Sequence, residues 1–300
     1  MEVSTLLELY EKGERNFSGI DLSGSNLTKV ILTGVNLAGA NLRGVNLSHA
    51  LLNKSDLSGA LLNWANLKFV KLGEAKLVDA DLTKALLNGA FLVKSKLPGA
   101  KLSGANLQGA NLRSVNMWGA NLCGANLQEI NLRGANLSGT NLNWVNFEAA
   151  RLIGAMLYGS SFTGSNFRKA FLNGIDLSGV DLATINLSGA KLIGTNLEGA
   201  NLIAADLSTA ILRKANLSGA DLTGANLADA CLEKANLNWA RLNQADLTNT
   251  DFTDAVLTGT DIEGTRWQCS IASEKKTDLY FSLPKTALHF EAELRVVGNE

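Results

Sequence analysis

Proline, histidine and cysteine are scarce in this chain, at 2, 2 and 3 of 300 residues. The two histidines, His49 and His289, offer no Ser/His/Asp or Cys/His pairing with a geometry to name, and no metal-ligand cluster can be spaced around them. No phosphate-binding loop ending in Gly-Lys-Ser or Gly-Lys-Thr occurs. The thiols Cys123, Cys231 and Cys269 are odd in number, which suits a reducing compartment better than a disulfide framework. No apolar run approaches the roughly 20 residues that cross a bilayer. The first residues, MEVSTLLELYEKGERN, lack the basic start, long apolar core and small-residue cleavage site of a secretory signal. Lys and Arg number 27 against 28 Asp and Glu, so a net charge of −1 gives no global pull toward nucleic acid or anionic lipid. A non-enzymatic, cytoplasmic protein is expected, with no cofactor, no metal, no membrane span and no small-molecule substrate.

What is abundant is order. The stretch GANLQGANLRSVNMWGANLCGANLQEINLRGANLSG, from Gly104 to Gly139, repeats every five residues, a period that belongs to neither helix nor strand. Calling the central residue of each unit i, fifty units run from Phe17 to Ile262, and 43 of these central residues are Leu. The other seven are Phe17, Met117, Phe147, Phe162, Phe167, Phe252 and Ile262, all large and apolar. From Ile20 to Thr260, position i−2 holds only Ala, Val, Ile, Ser or Thr, and charges over this stretch are confined to i−1, i+1 and i+2.

Positions i−2, i−1 and i therefore alternate in, out, in, as an extended segment does. Positions i+1 and i+2, where Ser, Thr, Asn, charged residues and Gly gather, turn the chain. Asn or Asp at i−1, such as Asp21, Asp56, Asp176, Asp181, Asp221 and Asp261, is read as a corner hydrogen-bonding residue rather than as a cation site. A three-residue strand cannot bury its apolar face alone, so the units must stack on one another as a solenoid. Large and small inward residues alternate to fill a narrow bore.

Units such as ANLSG, ADLTG and ANLQG resemble the pentapeptide-repeat family, in particular its long bacterial, cyanobacterial-type members. The match runs from Arg15 to about Thr265. The resemblance implies an all-β fold, a right-handed quadrilateral β-helix with four units per coil. Fifty units would make about 12 coils, and at about 4.8 Å between strands a rod roughly 60 Å long. Some members of the family imitate DNA and bind DNA gyrase. That activity needs a strongly negative surface, which this composition disfavours.

Three regions are expected: 1–14 as an N-terminal capping helix, 15–266 as the β-helix and 267–300 as a non-repeat tail or cap. In the helix, Val3, Leu6, Leu7 and Tyr10 share a face, Thr5 and Glu8 stand in capping-box relation and Gly13 marks the stop. In the tail, Leu288, Phe290, Ala292, Leu294 and Val296 alternate with polar residues as in a strand, although a helix from Pro284 to Gly298 also fits. Cys123 and Cys231 fall more than five coils apart, roughly 25 Å, beyond disulfide reach.

Sorting outward residues over a 20-residue coil reveals an asymmetry that the net charge hides. The side whose inward residues run from Leu32 through Leu52 to Phe252 carries ten cations: Lys54, Lys71, Lys94, Arg113, Arg133, Arg151, Lys191, Arg213, Lys214 and Lys234. Against them stand Glu74, Glu233, Asp251 and Asp254, a balance of +6, whereas the other sides come to −2, −2 and −1. Ile31, Leu51, Phe91, Phe171 and Ile211 at i−1, with Val93, Ile153 and Ile193 at i+1, make this side read as the most apolar as well.

It is the expected partner-binding side, through Lys71, Phe91, Lys94, Arg113, Arg133, Arg151, Phe171, Lys191, Ile211 and Arg213. The partner would be a protein or a second copy of the chain. Nucleic acid, tracked by the cations, is the less favoured occupant because apolar residues interrupt them. Trp64 with Trp144, and Trp118 with Trp239, share two other sides and are weaker anchors.

Overall fold

The computed structural model describes residues 2–267. The strand pattern expected after residue 267 lies outside those residues. The chain divides into two compact units, residues 1–176 and 177–300, taken separately below.

Each unit is built by parallel bridges with a fixed offset of 20 residues, always between i−1 positions, such as Asn111 with Asn131 in the first and Asp181 with Asn201 in the second. An offset of 20 with a five-residue repeat gives four repeats per coil. The extended segments are shorter than the three residues expected, because only the i−1 residue bridges on both sides.

The repeat uses every backbone amide in a set way, as a buried backbone requires. Around Leu112 of the first unit, Asn111 N–H donates to Ala90 C=O at 2.9 Å in the preceding coil. Leu112 and Ser114 donate forward to Asn131 and Arg133 at 2.8 and 2.9 Å, and Val115 closes the turn on Leu112 C=O at 3.1 Å. Around Leu212 of the second unit the same four bonds recur, from Ile211 to Ala190 (2.9 Å), Leu212 to Cys231 (2.7 Å), Lys214 to Glu233 (2.9 Å) and Ala215 to Leu212 (2.9 Å). The turn has positive φ only at its second central residue, 56° at Ser114 and 57° at Lys214, the sign pattern of type II.

The fifth amide, at i+1, has no backbone acceptor in this scheme, and this explains Asn and Asp at i−1. Asn111 Oδ1 accepts from Arg113 N–H at 3.2 Å, and Asp221 Oδ1 from Thr223 N–H at 3.0 Å. Where i−1 is neither Asn nor Asp, an Asn at i+1 of the preceding coil can take over. Asn53 receives Gly73 N–H (2.9 Å), Asn143 receives Thr163 N–H (2.8 Å) and Asn238 receives Thr258 N–H (3.0 Å).

The inward column is dry in both units. Nearly all the Leu residues at i are 0–1% exposed, and Ala or Val at i−2 fills the gaps between them. Each such Leu contributes roughly 1.5–3 kcal/mol by leaving water. Phe147 and Phe167 replace Leu in successive coils of the first unit and stack at 4.7 Å.

Among the described residues, twenty-four other than glycine hold positive φ, every one at i+2, so the turn imposes the left-handed conformation whatever residue stands there. Glycine is needed sterically as well at Gly164 and Gly259, where a β-carbon would overlap the Trp144 and Trp239 indoles laid across them.

Ahead of the first coil, helix α1 spans Val3–Glu11. Its buried Leu6 and half-buried Val3, Leu7 and Tyr10 face the coil, and Tyr10 donates its hydroxyl to Thr33 C=O at 2.8 Å. The expected capping box is corrected. The N-cap is Glu2, without a side-chain cap, and Thr5 lies inside the helix. The C-terminal stop is a Schellman motif, with Gly13 N–H on Tyr10 C=O (3.0 Å), Glu14 N–H on Leu9 C=O (3.0 Å) and Gly13 at φ 100°.

Candidate protein-interaction surface

Outward residues of one side form columns because each stands 20 residues from its neighbour. In the first unit, Lys71, Phe91, Asn111, Asn131, Arg151 and Phe171 succeed one another at i−1 through consecutive bridges. Rungs about 4.8 Å apart separate them. Arg113 and Arg133 are successive members of the adjoining i+1 column, their amides held by Asn111 and Asn131, each at 3.2 Å. Lys94 stands at i+2 with φ 59°. Lys71, Lys94, Arg113, Arg133 and Arg151 are all exposed.

In the second unit, Lys191, Ile211, Cys231 and Asp251 form the corresponding i−1 column. Lys191 and Ile211 are half-buried and Arg213 is exposed. The structure thus aligns seven of the expected site residues, Lys71 to Phe171, on the first unit and three, Lys191, Ile211 and Arg213, on the second.

The charged groups behave differently on the two. On the second unit Arg213 Nε lies 2.8 Å from Glu233, Lys234 lies 3.1 Å from the same carboxylate, and Lys234 also reaches Asp254 at 3.8 Å. Glu233 holds the Lys234 ammonium pKa above its ordinary value, by hydrogen bond and charge, with Asp254 adding to it. Among the described residues, no carboxylate comes within 4.0 Å of Lys71, Lys94, Arg113, Arg133 or Arg151. Two of these cations instead lie over aromatic rings one coil on, Lys71 over Phe91 at 5.3 Å and Arg151 over Phe171 at 6.0 Å.

That stacking corrects the expectation that this side is the most apolar. Leu51, Phe91, Phe171 and Ile211 are half-buried by their column neighbours, leaving Ile31 as its large exposed hydrophobe. Most other exposed large apolar groups stand elsewhere, on the first unit Trp118, Met156 and Tyr158 on one side and Trp64 and Trp144 on another, and on the second unit Trp239 and Val256 on one side and Ile203 on another. Glu233 and Asp254 were missed as determinants. Their signal is in the sequence, since Arg213 with Glu233 and Lys234 with Asp254 both stand 20 apart in one column. Among the described residues no group of His, Cys, Asp and Glu could hold a metal ion, and Cys123 and Cys231 are free thiols. No helix there is long and apolar enough to cross a membrane.

The family model for pentapeptide repeats matches in overlapping copies, from residues 16–50 through 116–152 to 235–266. The chain belongs to the pentapeptide-repeat family. This pentapeptide-repeat chain is similar to HetL, a pentapeptide repeat protein involved in heterocyst differentiation regulation from the cyanobacterium Nostoc sp. strain PCC 7120. The two share 33% identity over 88% of this chain and 96% of that one, with a TM-score of 0.38. A second Nostoc pentapeptide repeat protein, alr5209, is 36% identical over 38% of this chain and 79% of its own, with a TM-score of 0.20. QnrB1, a plasmid-mediated fluoroquinolone resistance protein, is 17% identical over 84% of this chain and 91% of its own, with a TM-score of 0.28. Among curated proteins none matches. Pentapeptide-repeat relatives imply the right-handed quadrilateral β-helix, and they indicate no catalytic family.

Proposed function

We propose that this chain is a non-catalytic scaffold that presents its basic side to a protein partner, with α1 serving as the cap of the first coil. The observation that carries this reading is the segregation of charge. A chain with net charge −1 gathers ten cations against four carboxylates on one of four sides. Segregation at fixed composition makes a local field without a global one, which favours docking of a complementary surface over general attraction to polyanions. DNA mimicry of the kind that engages gyrase would need the opposite sign.

Retention on a carboxylate cation-exchange resin at neutral pH tests it. A protein of net charge −1 should be held there only through such a side. The variant Arg113→Glu, Arg133→Glu, Arg151→Glu, Lys191→Glu should pass through while folding normally, because all four stand outside the core. An intact chain that is not retained would refute the reading. Light-scattering mass at low and high salt then identifies the partner. A low-salt dimer abolished in the variant would make the partner a second copy, and a monomer throughout leaves the side to a different protein.

A further inference from the structure

Resting on that reading of the basic side, we infer that the docking surface is confined to the first unit, from Lys71 to Phe171, and that it takes an acidic protein segment carrying apolar side chains. The two units present the same repeat and the same turns, yet differ in how their cations are satisfied. On the second unit four cations face three carboxylates, and Glu233 and Asp254 already occupy Arg213 and Lys234. An incoming carboxylate there would have to displace a resident one. On the first unit six cations face the single carboxylate Glu74, and among the described residues Glu74 makes no ion pair and no carboxylate lies within 4.0 Å of Lys94, Arg113 or Arg133.

Charge complementarity therefore selects an anionic occupant, and the side chains around the cations select its class. Phe91, Val93, Ile153 and Phe171 flank the arginines along the same columns and are half-buried rather than fully covered. A nucleic-acid backbone offers phosphates at every step and nothing apolar to meet them. A protein segment mixing Asp or Glu with apolar residues can satisfy both. Arginine is suited to this because its planar fork pairs carboxylates bidentately and also stacks on rings, as Arg151 already does on Phe171.

The experiment titrates the full chain with fluorescent poly-L-glutamate, and separately with a short DNA duplex, at one fixed moderate salt concentration. Poly-L-glutamate should bind, more tightly than the duplex. Arg113→Glu with Arg133→Glu should weaken it by roughly tenfold or more, the sum of two lost pairs and two repulsions. Glu233→Gln, which frees Arg213 and Lys234, should strengthen it. Thermal unfolding of each variant separates lost binding from lost fold. An equal loss from Arg213→Glu with Lys214→Glu, or no gain from Glu233→Gln, would overturn the confinement to the first unit while leaving the basic side as the docking side. Tighter binding of the duplex would overturn the partner class, and no binding of either probe would overturn the docking reading itself.

Discussion

Arg113 and Lys94 on the first unit, and Arg213 and Lys234 on the second, occupy equivalent places in the same repeat, but only the second pair meets a carboxylate one coil away. Backbone bonds, turn conformation and inward packing hardly distinguish the two units. The fold therefore leaves the outward positions free, and what stands 20 residues further along decides whether a cation is satisfied at home or open to a partner.

Several substitutions would break or sharpen that comparison. The largest effect should not distinguish the units at all. Leu112→Ala and Leu212→Ala each open a cavity in a fully buried column and should cost about 3 kcal/mol by urea denaturation. Markedly unequal losses would mean that the cores are not equivalent. Next, Gly164→Ala in the first unit and Gly259→Ala in the second should each lose about 2 kcal/mol, from left-handed strain and displacement of the overlying tryptophan. Gly124→Ala, with open space above it, should lose only the strain, about 1 kcal/mol. Removing the substitute amide acceptors, by Asn143→Ala and Asn238→Ala, should cost about 1 kcal/mol in either unit.

A smaller change should separate the units. Lys94→Gly should stabilise by up to about 1 kcal/mol because φ 59° strains a residue with a β-carbon. Lys234→Gly should gain less, because it also gives up contacts to Glu233 and Asp254. The smallest effect concerns pH. Asp21 is held below its ordinary pKa by the Ser23 amide and hydroxyl, and Asp246 by the Thr248 hydroxyl and amide. A depressed folded-state value stabilises above the unfolded value and is lost as pH falls through the folded one, so both units should weaken together below about pH 4. A transition in one unit alone on acid titration would contradict this.

Much of the fold was legible because the repeat never breaks. The inward residues from Phe17 to Ile262 fix what is buried, and Asn or Asp at i−1 betrays the corner bonding. The capping box at Thr5 and Glu8 misled because spacing alone does not say where a helix begins, and the chain enters the helix three residues earlier, with Glu2 as the N-cap. Asn53 and Gly73 share a column of the 20-residue coil, but sorting by charge carries no sign of the amide that Asn53 accepts. Exposure was misjudged because sorting by charge does not weigh column neighbours against one another either. Phe91 and Phe171 look exposed as isolated i−1 residues, but a cation from the preceding coil lies over each.

The basic side itself was legible from charge sorting, whereas its division into satisfied and open cations required the ion pairs. Carbodiimide coupling of poly-L-glutamate to the intact chain, followed by mass-spectrometric mapping of the linked lysines, tests that division most directly. Links should concentrate at Lys71 and Lys94 of the first unit. Equal or greater coupling at Lys234, which Glu233 and Asp254 hold, would show that the resident carboxylates do not close the second unit, and would contradict the account.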